Sequence, residues 1–539
     1  MQTQVRTKYW GRGFLYVAFG MAILLGVLST PFTGAAQTLA GEKDKLAFPI
    51  IPTATPAPKP GQTPVDVAAD QPPLTEREKA MLEMIKGLQE RLTKLEAQVG
   101  IAAEKPKPPD DTVPVPAKPP TPDPVVAQDV KQDEDEDDPK LKKGVPIAHA
   151  TTEFEPGEGF QIGKTKLGSL NISGYLVARY LNQTGPDTYV DHLGRTQTVK
   201  TRQDFQFHRA MLYFQGYFLN PKLYYNITLW TVNDTDQKAI IGGISYAFNK
   251  HFIVGAGWYG LPGTRSMHGS HPYWPSYDRV MADEFFRPYF TQGVKVQGDI
   301  VKGLTYEFVV GNNSSSLGVA ATKLDRYLSY GASLTWRPTT GEFGPRAAFG
   351  DFENHEKLAS QFGFAYTNSR EQRFSENNTK PDNTTIRLAD SLNVFDIDAF
   401  ANGTTVSQVD YQLFSSDIGF KYKGFWIQAE GYYRILDNFV ADGPMPLRTL
   451  QDKGFYIQAS YMVVPKTVEL YGATSKVFSQ MGRPWEVLAG TNYYPFENRN
   501  FRFNVHVVNV NKSPVSSTFG YYVGGLKGWS MTVGSSVLF

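Results

Sequence analysis

The sequence predicts an all-β fold over its C-terminal two-thirds, a transmembrane antiparallel β-barrel of about sixteen strands. Three observations lead there. From about residue 168 to the end, apolar and polar residues alternate with a period of two, as in strands with one greasy and one polar face. Short turns at Asn220-Pro221, Asn249-Lys250, Lys302-Gly303, Lys423-Gly424, Pro465-Lys466 and 497–500 alternate with long polar loops near 182–203, 261–288, 313–325, 370–408, 437–451 and 512–528. Short turns on one side and long loops on the other are the connectivity of an outer-membrane barrel, and a barrel of that size leaves an aqueous lumen. The composition agrees, with 13% aromatics and 49 Gly. Cys is absent, which removes disulfides, thiol catalysis and Cys-ligated metal. A formal net charge of +1 lacks the basic excess of a nucleic-acid binder.

Residues 1–36 read as a secretory signal peptide. Arg6, Lys8 and Arg12 precede an apolar run over 14–28, and Gly34-Ala35-Ala36 offers small residues for cleavage. Residues 37–73 form a Pro-rich linker without periodicity. Residues 74–102 carry Leu74, Met81, Leu88 and Leu95 at heptad position d and Ile85, Leu92 and Val99 at a, with Thr75 and Glu78 at capping-box spacing. That pattern predicts a coiled-coil segment, and its a/d residues do not choose between two and three strands. Residues 103–160 return to a Pro-rich linker, whose acidic run at 133–138 is expected to be a solvated, self-repelling stretch.

The barrel is assigned to 161–539. Its clearest hairpin runs from Phe205 to Trp230. Ala210, Leu212, Phe214, Gly216 and Phe218 make an apolar face against Arg209, Met211, Tyr213, Gln215 and Tyr217, and a turn at 219–222 leads into the next arm. In 424–435, Phe425, Ile427, Ala429, Tyr433 and Ile435 alternate with Trp426, Gln428, Glu430, Tyr432 and Arg434. The final strand ends on Phe539 in phase with Met531, Val533 and Val537, the form of signal that barrel-assembly machinery reads.

Several stretches resemble the phosphate-selective porin O and P family. They are Arg209-Ala210, Phe214, Gly216 and Pro221-Lys222-Leu223; then Gly257-Trp258-Tyr259-Gly260-Leu261-Pro262, Asp278-Arg279 and the run 290–298; then 348–353 with His355. The resemblance covers most of 168–539. It implies a sixteen-stranded porin, usually a homotrimer, in the outer membrane of a Gram-negative bacterium, with the coiled coil on the periplasmic side.

Passage of small solutes needs a wet lumen narrowed at one level, where fixed charges bias entry. The expected constriction is the loop at 261–288, following the fifth strand and so the third on the long-loop side, which carries Arg265, His268, His271, Asp278, Arg279, Asp283, Glu284 and Arg287 among Tyr273, Trp274 and Tyr277. So many aromatics suggest that the loop folds inward. Alternation places Arg179, Arg209, Lys421, Glu430, Arg434 and Arg502 on the lumen wall, with Lys423 at a mouth. Such arginines serve selectivity, or they pair with acids that hold the loop in place. His268 and His271 lack supporting metal ligands, and Ser266 and Ser270 beside His268 do not make a nucleophile–base pair. No cofactor, metal or enzymatic activity is expected. The expected function is passive diffusion of small hydrophilic solutes and ions, with a possible anion or phosphate preference. The alternative is a tether that uses the barrel as an anchor in outer-membrane lipid and reaches the cell wall through the N-terminal region.

Overall fold

A computed structural model describes Glu83, Lys86, Glu90 and residues 159–232, 237–314, 326–374, 386–516 and 521–539. Glu83, Lys86 and Glu90 are helical and exposed. The signal peptide, both linkers up to residue 158 and the remainder of the coiled-coil segment lie outside the described residues.

Strand β1 (Phe160–Thr165) forms a hairpin with the start of β2 (Gly168–Thr184), and a small hairpin, β3 (Thr188–Val190) and β4 (Thr196–Thr198), sits in the loop that follows. The wall continues through β5 (Gln203–Phe218), β6 (Asn220–Val232), β7 (Gln237–Asn249), β8 (Phe252–Gly260), β9 (Phe290–Val301), β10 (Leu304–Gly311), β11 (Ser329–Trp336) and β12 (Ala359–Gln372). It is completed by β13 (Val406–Tyr422), β14 (Phe425–Ala441), β15 (Thr449–Val464), β16 (Val468–Phe478), β17 (Trp485–Tyr493), β18 (Phe501–Asn511) and β19 (Gly528–Leu538). A one-and-a-half-turn helix, α1 (Met281–Phe286), lies between β8 and β9. No helix among the described residues is long and apolar enough to cross a membrane.

Strands β2 and β5 to β19 pair antiparallel with their neighbours, and β19 pairs back onto β2, so sixteen strands close a barrel. The seam register runs from Trp529 opposite Thr184 to Leu538 opposite Tyr175. Phe539 exchanges backbone hydrogen bonds of 3.0 and 2.9 Å with Gly174. Its ring lies where a Cβ at residue 174 would stand, so any larger residue there would have to displace the Phe539 ring.

Alternation fixes the two faces. In β14, Trp426, Gln428, Glu430, Tyr432 and Arg434 are buried inside, and Arg209, Met211 and Tyr213 of β5 point the same way. Outside, Ile227, Ile240, Ile244, Leu470, Val487, Val505 and Val533 form part of an exposed apolar belt. A surface of that kind is unfavourable in water and suited to lipid.

Four expectations need correction. The first hairpin turns more tightly than 219–222: β6 starts at Asn220, and Leu219 alone carries the turn with φ 59°. The loop expected at 437–451 shrinks to 442–448, because β14 and β15 pair up to Asp437 opposite Thr449 and β14 runs on to Ala441 against β13. A slip between Val177/Arg209 and Ala178/Phe207 makes His208 a bulge residue, so both His208 and Arg209 face inward. The short-turn side is not uniformly short either. Residues 337–358 join β11 to β12 on that side and enter the barrel, because Phe343, Ala348, Phe349 and Phe352 find buried positions there.

Candidate functional site

The interior is built by segments that enter from both ends. From the long-loop side come 261–289, parts of 386–405 and parts of 521–527; from the turn side comes 337–358. Apolar side chains explain the entry. Phe285 and Phe286 of α1 pack with Leu388, Phe395, Tyr432 and Tyr456, and Phe349 stacks on Trp426 at 5.2 Å. The loop at 370–408 therefore begins and ends in strand, spans 373–405, and buries Phe395 and Phe400 rather than standing wholly outside.

Loop 261–289 is clamped by charge. Asp278 accepts from Arg179 Nη1 at 2.5 Å and Arg209 Nη2 at 3.2 Å, and His208 Nε2 lies 3.6 Å away. Burial alone would raise the Asp278 pKa, but Arg179, then His208 and Arg209, outweigh it and hold the carboxyl well below the usual range. Arg502 donates to the carbonyls of Trp274, Pro275 and Ser276 at 2.6, 3.3 and 3.3 Å. Arg279 donates to Ser266 Oγ at 2.6 Å and lies 4.2 Å from the Trp274 ring centre. Asp283 accepts from Thr264 and Ser266 at 2.8 and 2.9 Å, and burial raises its pKa. Glu284 takes a two-pronged bond from Arg287 at 2.8 and 2.9 Å. His271 sits edge-on between Tyr175 and Trp274, with Nε2 3.4 Å from Arg209.

The wall residues named from the sequence all face inward, and they brace the inserted segments. Arg434 donates to Asp452 at 2.6 and 2.9 Å and to the Arg387 carbonyl at 2.7 Å. Lys421 Nζ donates to the Phe343 carbonyl at 2.9 Å. Glu430 accepts from the Arg265 amide at 2.8 Å and from the Tyr432 hydroxyl at 2.9 Å. Lys423 is exposed at its turn. The helix-end amides of Met281 and Ala282 donate to Glu486 and Ser475 at 2.6 and 3.1 Å.

Between these braces and the β9–β11 wall lies a polar cavity of about 340 Å³. Arg265, His268, Asp299, Glu307, Arg337 and Arg346 are among the residues that line it. Of the acids that line it, Asp299, Glu307 and Glu342, Glu307 is paired with Lys295 at 3.4 Å and His268 at 3.5 Å, and Glu342 with His355 at 3.1 Å. Arg265 donates Nη2 to the Ala347 carbonyl at 3.3 Å, and its buried Nε and Nη1 have no hydrogen-bond partner among the described residues. Among the described residues the Arg337 side chain donates to a neutral group, Gln361, at 3.1 Å; burial first, and then the charge of Arg265, bring its pKa down to about 10 against the opposing pull of Asp417, Glu342 and Asp299.

Asp351, Glu353 and His355 bring possible metal-ligating atoms within 4.8 Å of one another. Their oxygens are already engaged: Asp351 holds His355 and the Gly424 amide, and Glu353 holds Arg499 at 2.9 and 3.2 Å. Cations from the protein itself balance that cluster.

Sequence reasoning missed His208, Lys295, Glu307, Arg337, Asp452 and the 337–358 insertion. Asp452 was within reach, since it stands directly opposite Arg434 once β14 and β15 have their true lengths. The His208 bulge leaves no mark on the alternation that precedes it.

The fold and interior define the class: a closed sixteen-stranded antiparallel barrel with an apolar belt and a charged, loop-filled lumen. No family model matches the sequence, and no curated protein matches it. Among solved structures, the chain is similar to OmpT, an outer-membrane protein of Vibrio cholerae, at 12% identity, covering 70% of this chain and 100% of that one, TM-score 0.43. It is similar to an anion-selective porin from Comamonas acidovorans at 13% identity, covering 69% and 100%, TM-score 0.41. It is also similar to the outer-membrane channel DcaP of Acinetobacter baumannii at 10% identity, covering 71% and 100%, TM-score 0.44. At these values the likeness is one of barrel architecture.

Proposed function

We propose that the chain is an outer-membrane porin that lets small hydrophilic solutes diffuse passively, with a preference for anions. One observation carries the reading. The polar cavity along β9–β11 presents Arg265, whose Nε and Nη1 have no hydrogen-bond partner among the described residues, together with Arg337 and Arg346. Of the acids that line it, Glu307 is paired with Lys295 and His268 and Glu342 with His355, which leaves Asp299 and the buried Asp417 beside Arg265 and Arg337 against three guanidiniums. A lumen whose spare charge is cationic favours anion entry. The phosphate preference implied by the family resemblance is the finer form of the same reading. Arg179, Arg209, Arg434 and Arg502 then act mainly as braces, and the third loop narrows the passage without supplying its free charge. Loop 261–289 is the constriction in this account, and Arg279, held by Ser266 and Trp274, contributes shape more than field.

The barrel is proposed to work as a homotrimer, assembled through recognition of the Phe539-terminated strand, with the coiled-coil segment in the periplasm. The tether alternative rests on segments outside the described residues, and no observation here favours it.

Planar bilayers test the proposal. Purified full-length protein should give stepwise conductance in groups of three, with a reversal potential in a salt gradient that marks anions as the preferred carriers. Arg265→Gln combined with Arg337→Gln should move that potential toward neutrality, and phosphate should compete with chloride. Absence of conductance sinks the channel; an unmoved potential sinks the assignment of these two arginines.

A further inference from the structure

The connection at 337–358 sits on the wrong side for its length. Its companions on that side are the turns at Leu219, 250–251, 302–303, 423–424, 465–467 and 494–500. It does not lie over the rim but runs into the lumen, where Ala348 and Asp351 are fully buried and the Phe349 amide donates to the Tyr273 carbonyl of the opposing loop at 3.0 Å. Few of its contacts are its own secondary structure. Arg346 and Ala347 are held at φ 52° and 49°, a region such residues seldom occupy unless their surroundings impose it, and Asn354 lies there at 56°, which Asn adopts more readily. The surroundings here are side-chain charges and carbonyls. Arg346 Nε donates to the Gly269 and His271 carbonyls at 3.1 Å each, Lys421 to the Phe343 carbonyl at 2.9 Å, and Arg499 to Glu353.

His355 occupies the base of this segment. Its Nδ1 meets Asp351, its Nε2 lies 3.1 Å from Glu342 Oε1, and its carbonyl accepts from the Lys423 amide at 2.8 Å. Asp351 in turn accepts from the Gly424 amide at 2.8 Å, so the imidazole links both ends of the segment to the β13–β14 turn. The charged groups facing this base are Asp351, Glu342 and Glu353 from the segment, Lys421 from β13, Lys423 from the β13–β14 turn and Arg499 from the β17–β18 connection.

We propose that residues 337–358 are a strap that closes the turn-side end of the barrel, latched by the charged His355 between Asp351 and Glu342 and released when that charge is lost. This regulation rests on the porin reading above. The hydrogen bond to Asp351, opposed by burial and helped by the charges of Asp351 and Glu342, raises the His355 pKa. A raised pKa in the latched state means that the latch is at full strength below the ordinary imidazole value and weakens as pH rises through the raised one. Asp351, Glu353 and Glu342 behave oppositely. Burial opposes ionisation, but the His355 hydrogen bond to Asp351, Arg499 beside Glu353, and the Gly344 amide and His355 at Glu342 lower their values, so their share is lost only in acid. The strap is therefore closed at mildly acidic pH and opens toward the alkaline side.

The natural absence of Cys makes the test clean. Ala348→Cys is placed in the full-length protein, and its labelling by a charged maleimide is divided by that of exposed Lys222→Cys to cancel thiol ionisation. The ratio should rise severalfold between pH 6 and pH 9, as the imidazole gives up its proton and the latch its charge. In a His355→Gln background it should be high at both values; in His355→Lys, which keeps the charge, it should stay low at both. Heat-modifiable mobility on gels shows that each variant holds a folded barrel. A flat ratio in the parent, or one that His355→Gln leaves unchanged, overturns the strap. Labelling that follows the prediction in a barrel without conductance supports the strap and removes the channel; conductance with a flat ratio does the reverse.

Discussion

Asp278 shows how single residues organise this interior. It collects Arg179 from β2, Arg209 from β5 and the bulged His208, three groups on two strands, onto one loop carboxylate. Removing it leaves two buried guanidiniums without their acid, a change that costs about 3–5 kcal/mol where such pairs have been broken. Asp278→Ala should therefore loosen loop 261–289 and lower the denaturation midpoint, measured by the loss of heat-modifiable mobility in urea; an unchanged midpoint would show the cluster to be idle. The inward placement of Arg179 and Arg209 was legible from alternation alone. Their convergence on Asp278 was not, because the loop between them and their acid has no periodicity to read.

Among the elements, α1 has a short helix's difficulty: too few turns to hold itself, and first-turn amides that need partners. Glu486 and Ser475 on β17 and β16 supply them, and Tyr522 steadies Glu486 at 2.6 Å. Glu486→Ala should cost about 1–3 kcal/mol through the unsatisfied amide and unseat the helix. Hydrogen exchange at the Met281 amide, protected in the parent, should become fast while exchange in β17 stays slow; retained protection would mean that packing of Phe285 and Phe286 suffices. The inward fold of this loop was visible in its aromatics, Tyr273, Trp274 and Tyr277. The strap at 337–358 was not, since Gly, Pro and charged residues there look like any exposed connection. Only Phe343, Phe349 and Phe352, spaced with no regular period, hinted that it needed cover.

At the scale of the whole molecule, the period of two specified nearly everything about the wall: strand number, faces and alternation of connections. What it left out is the filling, which obeys tertiary contacts between segments far apart in sequence. The belt makes its own prediction. Ile227 stands outward on β6, opposite Phe214 and Gly242. Ile227→Arg should destabilise the barrel in bilayers by about 2–4 kcal/mol if that position meets the midplane and by less toward an interface. Folding titrations in vesicles measure it, and a neutral result would place the residue outside the apolar band.

The seam between β19 and β2 joins the last strand of the chain to the first strand of the ring. On that flank β1 covers only Gly168–Ile172 of β2, so the stretch from Tyr175 to Thr184 finds its partner only in β19. Two strands far apart in sequence must therefore meet before the ring is shut, a contact of long loop closure that is expected to form late in folding.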